Sequence, residues 1–476
     1  LVDQRAPTSR PGPGTAGDDD ERRAPGGGSP EVPDGPRSPL SFAQQRLWFL
    51  RQLAPDDPSY LVSGVIVFDG ERAPVESRVL AAALADVVAG HEALRTAFEF
   101  DGGSAIARVR PAEPAAGPAL EYGVIPDADD LDAGLRRFAE RDARTRFDLA
   151  APPLFRARLL RRAGRPVALL VTIHHIVFDG WSFGVLVRDL GRTYEARLRG
   201  QRPAPRTTEG PVAFAARQRR WTDSAAGRRA LDTLAASLAG APTVLDLPTD
   251  RPRPAVRGSA GGHLERPLGA VTTTAVRRFA RRCRASTYMV GLAAFGALLH
   301  RWTGLDDLIV GTAFAGRTTV PSEDAIGCFA NTVPVRLRPA PGRPFESLVA
   351  QARDTALLAM AHQDVPFECL VDRLRVPRDL ARTPLVQVAF GVQNASAPVH
   401  DGPAASFRGV ELTLDHARLD LTLWLTEREQ HLSALWTYSA DLFRPTTIAG
   451  LHDRFEGLLH RAIAHPDHLF AALEGI

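Results

Sequence analysis

Val167-Ala-Leu-Leu-Val-Thr-Ile-His174-His175-Ile-Val-Phe-Asp179-Gly180-Trp181-Ser182 is the stretch of this 476-residue chain on which its reading turns. Its first seven residues are apolar or β-branched and read as a buried strand. Two histidines close the strand, a short turn follows, and an Asp-Gly pair opens a helix from about Trp181 to Leu198 that stops at Gly200. Successive strand side chains point to opposite faces, so one histidine can face a cleft while the other packs within its own half. The turn brings Asp179 near the same place, and Gly180 permits tight backbone geometry there. Adjacent strand residues diverge and no third ligand is suitably spaced, so the pair is not read as a metal site.

Before this stretch, the apolar spacing predicts helices over Phe42–Leu53, Leu80–Leu94 and roughly Asp130–Arg146. Strands are predicted at Val62–Phe68, Phe155–Arg161 and Val167–Ile173. Beyond a linker, Gly200–Pro211, the spacing predicts helices near Phe214–Leu238, Thr273–Arg284, Met289–Thr303, Phe345–Ala361 and Thr446–Ala464. Strands there fall at Leu308–Thr312, Val386–Val392 and Leu432–Ser439. Helices and strands mix in both halves without regular βαβ alternation, which predicts two α+β lobes. Residues 1–37, rich in Pro and Gly with few bulky apolar residues, read as a disordered linker.

Composition sets further bounds. The chain is too long for one compact core and fits two domains or one fold doubled. Hydrophobic residues make up 44% and charged residues 24%, as in globular proteins. No apolar run reaches the ~18 residues of a membrane helix, and no signal peptide is read. Cys283, Cys328 and Cys369 are scattered, which argues against a disulfide scaffold and predicts a reducing cytoplasm. All 58 basic residues are Arg, so a phosphate-loop lysine, a lysine Schiff base and a lysine general base are all excluded. The net charge is +3, but acidic residues are interspersed with the arginines and no basic-aromatic groove is legible, so nucleic acid is not the expected partner.

His174-His175-Ile176-Val177-Phe178-Asp179-Gly180 resembles the HHxxxDG signature of the condensation-domain superfamily of nonribosomal peptide synthetases. Alone it also fits chloramphenicol-acetyltransferase-like and wax-ester-synthase-like acyltransferases. Further motifs, in the family's order, narrow the choice. Ser41-Phe-Ala-Gln44-Gln45-Arg46-Leu-Trp48 resembles SxAQxRLW, and His91-Glu92-Ala-Leu94-Arg95-Thr96-Ala-Phe98 resembles RHExLRTxF with Gly90 in place of the leading Arg. Ile326-Gly327-Cys-Phe329-Ala-Asn331-Thr332 is similar to IGxFxNT. His362-Gln363-Asp364-Val-Pro366-Phe367-Glu368 matches HQDxPFE, and Arg378-Asp379-Leu-Ala-Arg382-Thr-Pro384-Leu385-Val-Gln387 matches RDxSRxPLxQ. A tyrosine-containing motif before Trp221 is degraded to Val212-Ala-Phe214-Ala-Ala. The resemblance covers residue 38 to the end.

The resemblance implies an α+β fold of two chloramphenicol-acetyltransferase-like lobes, 38–205 and 206–476, forming a V-shaped pseudo-dimer with a central tunnel. An upstream and a downstream peptidyl carrier protein would deliver 4'-phosphopantetheine-borne substrates to its two mouths, with no cofactor bound by the domain itself. The acceptor's α-amine would attack the donor thioester and form an amide. His175 is the expected catalytic residue, as general base or as a group that orients the amine, starting from a reference pKa of about 6.5. The Gly180 amide would serve a developing oxyanion. Asp179 is expected to support the site through an ion pair with Arg317. His174, Trp181 and Ser182 are read as structural support, and Asn331 as lining the tunnel. His91, His362 and Asp364 read as structural. Trp181 preceding Ser182, the retained histidines and the HQDVPFE motif favour peptide-bond formation with an L-configured donor over epimerization, heterocyclization or mere recruitment. The rival readings are a free-standing acyltransferase using coenzyme A and a non-catalytic docking module. The chain is expected to be an excised, monomeric domain of a larger synthetase, beside adjacent synthetase domains.

Overall fold

The computed structural model describes residues 35–69, 74–112, 119–203, 208–340, 342–393, 397–428 and 430–466. The linker expected over 1–37 lies almost wholly outside them, as does the lobe boundary at 205/206. Arg37 already belongs to a strand, β1 (Arg37–Pro39). Helix α1 (Phe42–Leu53) follows, started by Ser41, whose hydroxyl accepts the Gln44 N–H while the Gln44 carboxamide accepts the Ser41 N–H. Then come β2 (Leu61–Phe68), α2 (Ser77–Gly90), the hairpin β3 (Thr96–Asp101) and β4 (Ser104–Val109), and β5 (Leu120–Val124). Helix α3 (Leu131–Ala143), strands β6 (Phe155–Arg162) and β7 (Arg165–His174), and the long α4 (Gly180–Leu198) complete the first half.

The second half opens with α5 (Pro211–Thr222) and α6 (Ala225–Leu238), where the hydrophobic spacing predicts one helix. The break falls at Ser224, whose hydroxyl accepts the Gly227 N–H and starts a new helix. There follow β8 (Gly261–Pro267), α7 (Ala270–Arg282), α8 (Thr287–Thr303), β9 (Leu308–Phe314) and the short α9 (Val320–Glu323). Next are β10 (Asn331–Leu337), α10 (Phe345–Ala361), α11 (Phe367–Arg373) and β11 (Val388–Gln393). The chain then forms β12 (Val399–Asp401), β13 (Ser406–Leu412), β14 (Leu421–Glu427), β15 (Leu432–Ser439) and α12 (Pro445–Ala464). The helix expected to reach Leu94 ends at Gly90, because Glu92–Arg95 tightens into a 3-10 turn that redirects the chain into β3.

Among the described residues two six-stranded sheets carry the fold, in the orders β12-β13-β2-β7-β6-β5 and β10-β9-β11-β14-β15-β8, beside a small sheet β1-β4-β3. In the first sheet, strands from both halves of the chain meet. Strands β12 and β13 come from the second half of the chain, yet β13 pairs antiparallel with β2, from Phe407 opposite Phe68 to Leu412 opposite Ser63. This crossing satisfies the edge of β2, which otherwise offers unpaired backbone groups. It is also driven by packing. Phe407 is fully buried, 5.2 Å from the Phe68 ring and 5.5 Å from Tyr194. Gly64 and Gly409 leave room for the ring of Phe183 on α4, since a Cβ at either would lie 2.4 or 2.9 Å from it. The core around the first sheet therefore includes Ile326, Cys328, Phe407 and Leu414, while a second core surrounds α8, α10 and α12.

Strand β7 ends at His174. Its ring is buried, meets Phe147 edge-on at 6.5 Å, and accepts the Ile176 N–H at Nδ1 over 3.1 Å, capping the turn that follows. An acceptor nitrogen cannot also carry a proton, and burial, helped by the cations of Arg51 and Arg418, pushes this imidazole down to about 3.

Two outcomes follow. Phe407→Ala should lower unfolding free energy by about 3–5 kcal/mol, read from denaturant midpoints, and a loss under ~1 kcal/mol would contradict the packing of the crossing strand. The unfolded chain protonates His174 below pH ~6.5 whereas the folded one resists until about 3, so stability present above pH ~6.5 is lost as pH falls. Melting temperature should drop between about pH 7 and pH 5, and His174→Asn, which keeps an acceptor for the turn, should flatten that slope. Identical slopes in the two proteins would refute this.

Candidate active site

The buried strand delivers its two histidines to different environments, as the alternation of strand faces requires. His174 points into the first core. His175 begins the 3-10 turn His175–Val177 between β7 and α4 and keeps accessible surface, whereas Ile176, Val177 and Phe178 are buried. The His175 Nδ1 is enclosed and has no well-formed hydrogen bond among the described residues. Burial drives the imidazole down to about 3, Arg418 adds repulsion, and Arg46 adds the least. A contact with its own backbone and the Asp179 carboxylate push the other way. The ring is therefore uncharged at neutral pH, unlike the reference imidazole of the sequence reading. Among the described residues no group of His, Cys, Asp and Glu is arranged to hold a metal ion.

Asp179 is the N-cap of α4 and is 1% exposed. Its Oδ1 accepts the Ser182 N–H at 3.0 Å and lies 2.8 Å from the Ser182 hydroxyl. Its Oδ2 accepts the N–H groups of Phe329 and Ala330 at 3.0 and 3.2 Å. Arg317 completes the set as a bidentate ion pair, Nη1 to Oδ2 at 2.7 Å and Nη2 to Oδ1 at 3.0 Å, with its side chain 2% exposed. The guanidinium also donates to the carbonyls of Ala315 and Ala325 and lies over the Phe329 ring. Ser182 extends the joint, because its hydroxyl accepts the Gly327 N–H and lies 3.0 Å from the Gly327 carbonyl oxygen. The start of α4 is thus bonded to residues 315–330 of the second half.

Gly180 is the first residue of α4. The Asp179 side chain caps the Ser182 N–H and leaves the Gly180 N–H without a protein acceptor among the described residues. Around Gly180 the space is open. A Cβ added there would meet one atom within 4 Å, the Oε2 of Glu411, at 3.9 Å. The helix dipole adds positive potential at this amide. Trp181 is half-exposed and donates its indole N–H to the Glu323 carbonyl at 2.9 Å. Asn331, expected in the tunnel wall, has another employment. Its amide nitrogen donates to the carbonyls of Gln363 and Val365 and its oxygen accepts the Phe367 N–H, so it pins the HQDVPFE loop. His91 bonds Asp189 through Nε2 at 3.1 Å and accepts the Ile326 N–H, a packing role.

Three charged residues around His175 and Gly180 escaped the sequence reading as site residues. Arg46 of the first motif pairs with Glu368 of HQDVPFE at 3.2 Å, joining α1 to α11. Arg418 donates to the Ser59 carbonyl at 2.7 Å and lies over the Tyr60 ring. Glu411 lies deep in the protein yet is exposed, so solvent reaches between the halves beside Gly180. Glu411 and Arg418 stand in no motif quoted above, and only the crossing of β13 could have brought them forward.

The condensation-domain family matches residues 37–474 of this chain. Phosphinothricin tripeptide synthetase PhsC from Streptomyces viridochromogenes is 40% identical over 456 residues, covering 94% of this chain and 41% of PhsC. Malpinin synthetase from Mortierella alpina is 34% identical over 424 residues, 89% of this chain and 5% of that synthetase. The chain thus spans less than half the length of these relatives. Among solved structures, the X-domain from teicoplanin biosynthesis matches with a TM-score of 0.81 at 27% identity, over 94% of this chain and 99% of that one. The first condensation domain of the calcium-dependent antibiotic synthetase, in complex with a substrate analogue, matches with a TM-score of 0.78 at 22% identity, over 92% and 98% of the two chains. The fold is the expected chloramphenicol-acetyltransferase-like α+β one, and a V-shaped pseudo-dimer agrees with these neighbours. Among the described residues no helix is long and apolar enough to cross a membrane. With its motifs in order and its fold shared over nearly its whole length, the chain belongs to the condensation-domain family of nonribosomal peptide synthetases.

Proposed function

We propose that this domain joins two carrier-bound substrates by an amide bond. The α-amine of an aminoacyl thioester on a downstream carrier protein attacks an acyl or peptidyl thioester on an upstream one, and a free pantetheine thiol leaves. The donor is proposed to be L-configured, on the strength of Asp179-Gly180-Trp181-Ser182 and the HQDVPFE motif. The observation that carries the reading is the accessible, uncharged His175 ring held one turn from the open Gly180 amide at the start of α4.

A thioester is already activated, so holding the two reactants in attack geometry supplies much of the rate, up to ~7–11 kcal/mol at the extreme. His175, neutral down to about 3, acts by accepting a hydrogen bond from the amine and aiming its lone pair. Carrying the proton of an amine whose reference pKa is ~8 would cost this ring on the order of 7 kcal/mol, which disfavours it as a free-standing base. As the carbonyl becomes tetrahedral, the Gly180 N–H donates to the oxyanion in the helix's positive field. Asp179, bonded on both oxygens, shapes the site and moves no proton.

The test loads defined aminoacyl groups on flanking carrier proteins and follows dipeptidyl thioester by intact mass. His175→Ala should lower the rate ~100-fold or more at unchanged melting temperature. Unchanged product in this variant would remove His175 from the chemistry, whereas a wild-type domain that forms no dipeptidyl thioester would sink the amide-forming reading and favour a binding role, of the kind illustrated by the complex of the X-domain and OxyB. Turnover on coenzyme A thioesters in place of carriers would favour a free-standing acyltransferase. Arg317→Ala strands a buried carboxylate, so it should lower stability by about 3–5 kcal/mol along with the rate. A fully stable Arg317→Ala protein would show that the pair does not hold the site.

A further inference from the structure

The face of β13 that packs on α4 is set by alternation. Phe407 and Gly409 meet Tyr194 and Phe183 of that helix, and Glu411 is the next residue on the same side. The strand therefore carries a carboxylate to the N-terminal end of α4, with Oε2 3.9 Å from where a Gly180 Cβ would lie. Glu411 is exposed despite its depth and makes no hydrogen bond or ion pair with the described residues. A carboxylate reaching open space, where a carbonyl is to develop negative charge, is out of place unless it is neutralised first.

The acceptor supplies the means. An α-amine is largely an ammonium at neutral pH and is a nucleophile only once deprotonated. Burial makes His175 a poor acceptor for that proton. Resting on the amide-forming reading, we propose that Glu411 receives the acceptor's α-ammonium and accepts its proton before attack, making it a catalytic residue specific for amine acceptors. The N–H bond breaks toward the carboxylate, leaving a neutral amine and a neutral Glu411 carboxyl. The amine nitrogen then bonds to the thioester carbon, and the C–S bond breaks with its electron pair on sulfur. The second amine proton goes to the thiolate, and the carboxyl returns its proton to solvent along the open space.

The surroundings agree with this order of events. Burial and the Asp179 charge raise the Glu411 pKa, while the Arg418 cation opposes. Of the elements packed on β13, α4 presents its N-cap Asp179, already paired with Arg317, and β2 has no titratable side chain. His400 and Asp401 of β12 lie toward the other end of β13. Tyr60, Arg46 and Cys328 surround Arg418.

The test compares wild type, Glu411→Gln and Glu411→Asp in the carrier-loaded assay at about pH 6.5 and about pH 9, with melting temperatures as the fold control. Glu411→Gln should be slower by about tenfold or more at the lower pH and within about twofold at the higher, where the amine is already neutral. Glu411→Asp should recover part of the loss. An acceptor carrier loaded with an aminooxyacetyl group, whose terminal amine is uncharged at both pH values, should react equally well with wild type and Glu411→Gln. A loss of the same size at both pH values, or none at either, overturns the proposal. A wild-type domain that forms no amide at any pH overturns the parent reading and this one with it.

Discussion

The candidate site is built around a single buried carboxylate. Asp179 is removed from water, and such a charge is tolerated only when partners replace its hydration. Each oxygen meets three donors, from Ser182, from the 329–330 backbone and from Arg317. Buried ion pairs add little net stability over an apolar filling, so the value of this one lies in geometry. Satisfying it requires the N-terminus of α4 and the 315–330 segment to meet in one register. That register leaves the Gly180 amide unbonded among the described residues, one turn from His175.

A second constraint comes from the strand that changes halves. By pairing with β2, β13 closes a sheet edge and brings Phe407 into the first core. The same pairing sets the face on which Glu411 appears. A slip of one residue would turn Glu411 away from α4 and bury Val410 or Leu412 toward it. Packing and chemistry are thus coupled through strand parity, and the two glycines opposite Phe183 keep the strand close to the helix. Burial of the imidazole completes the picture, since a neutral ring can accept a hydrogen bond without competing for the proton.

Much of the fold was legible from periodicity. The helices at Phe42–Leu53 and Phe345–Ala361 have the bounds that their apolar spacing predicts, and β7 with α4 departs from the reading by a residue or two. Legibility failed where the signal is shared or weak. The apolar pattern runs through Asp223-Ser224, so one helix is read where capping makes two. Strands β8 and β13 have few buried positions and mixed composition, and they are strands because neighbouring edges complete them. The helix–turn chemistry of Asp179 was readable because an N-cap is a local property. The role of Asn331 was not, because the loop that it pins lies over thirty residues away in the chain.

By itself the sequence determined the longer helices, the strands before the histidine turn, the family motifs and the candidate roles of His175, Asp179 and Gly180, because each depends on neighbours within a turn or a strand repeat. Only the tertiary structure decided that the second half lends β12 and β13 to the first sheet, that His175 is neutral with Arg418 near it, and that Glu411 stands beside Gly180. Those properties arise from desolvation and from contacts between residues hundreds of positions apart, and neither leaves a local pattern in the chain.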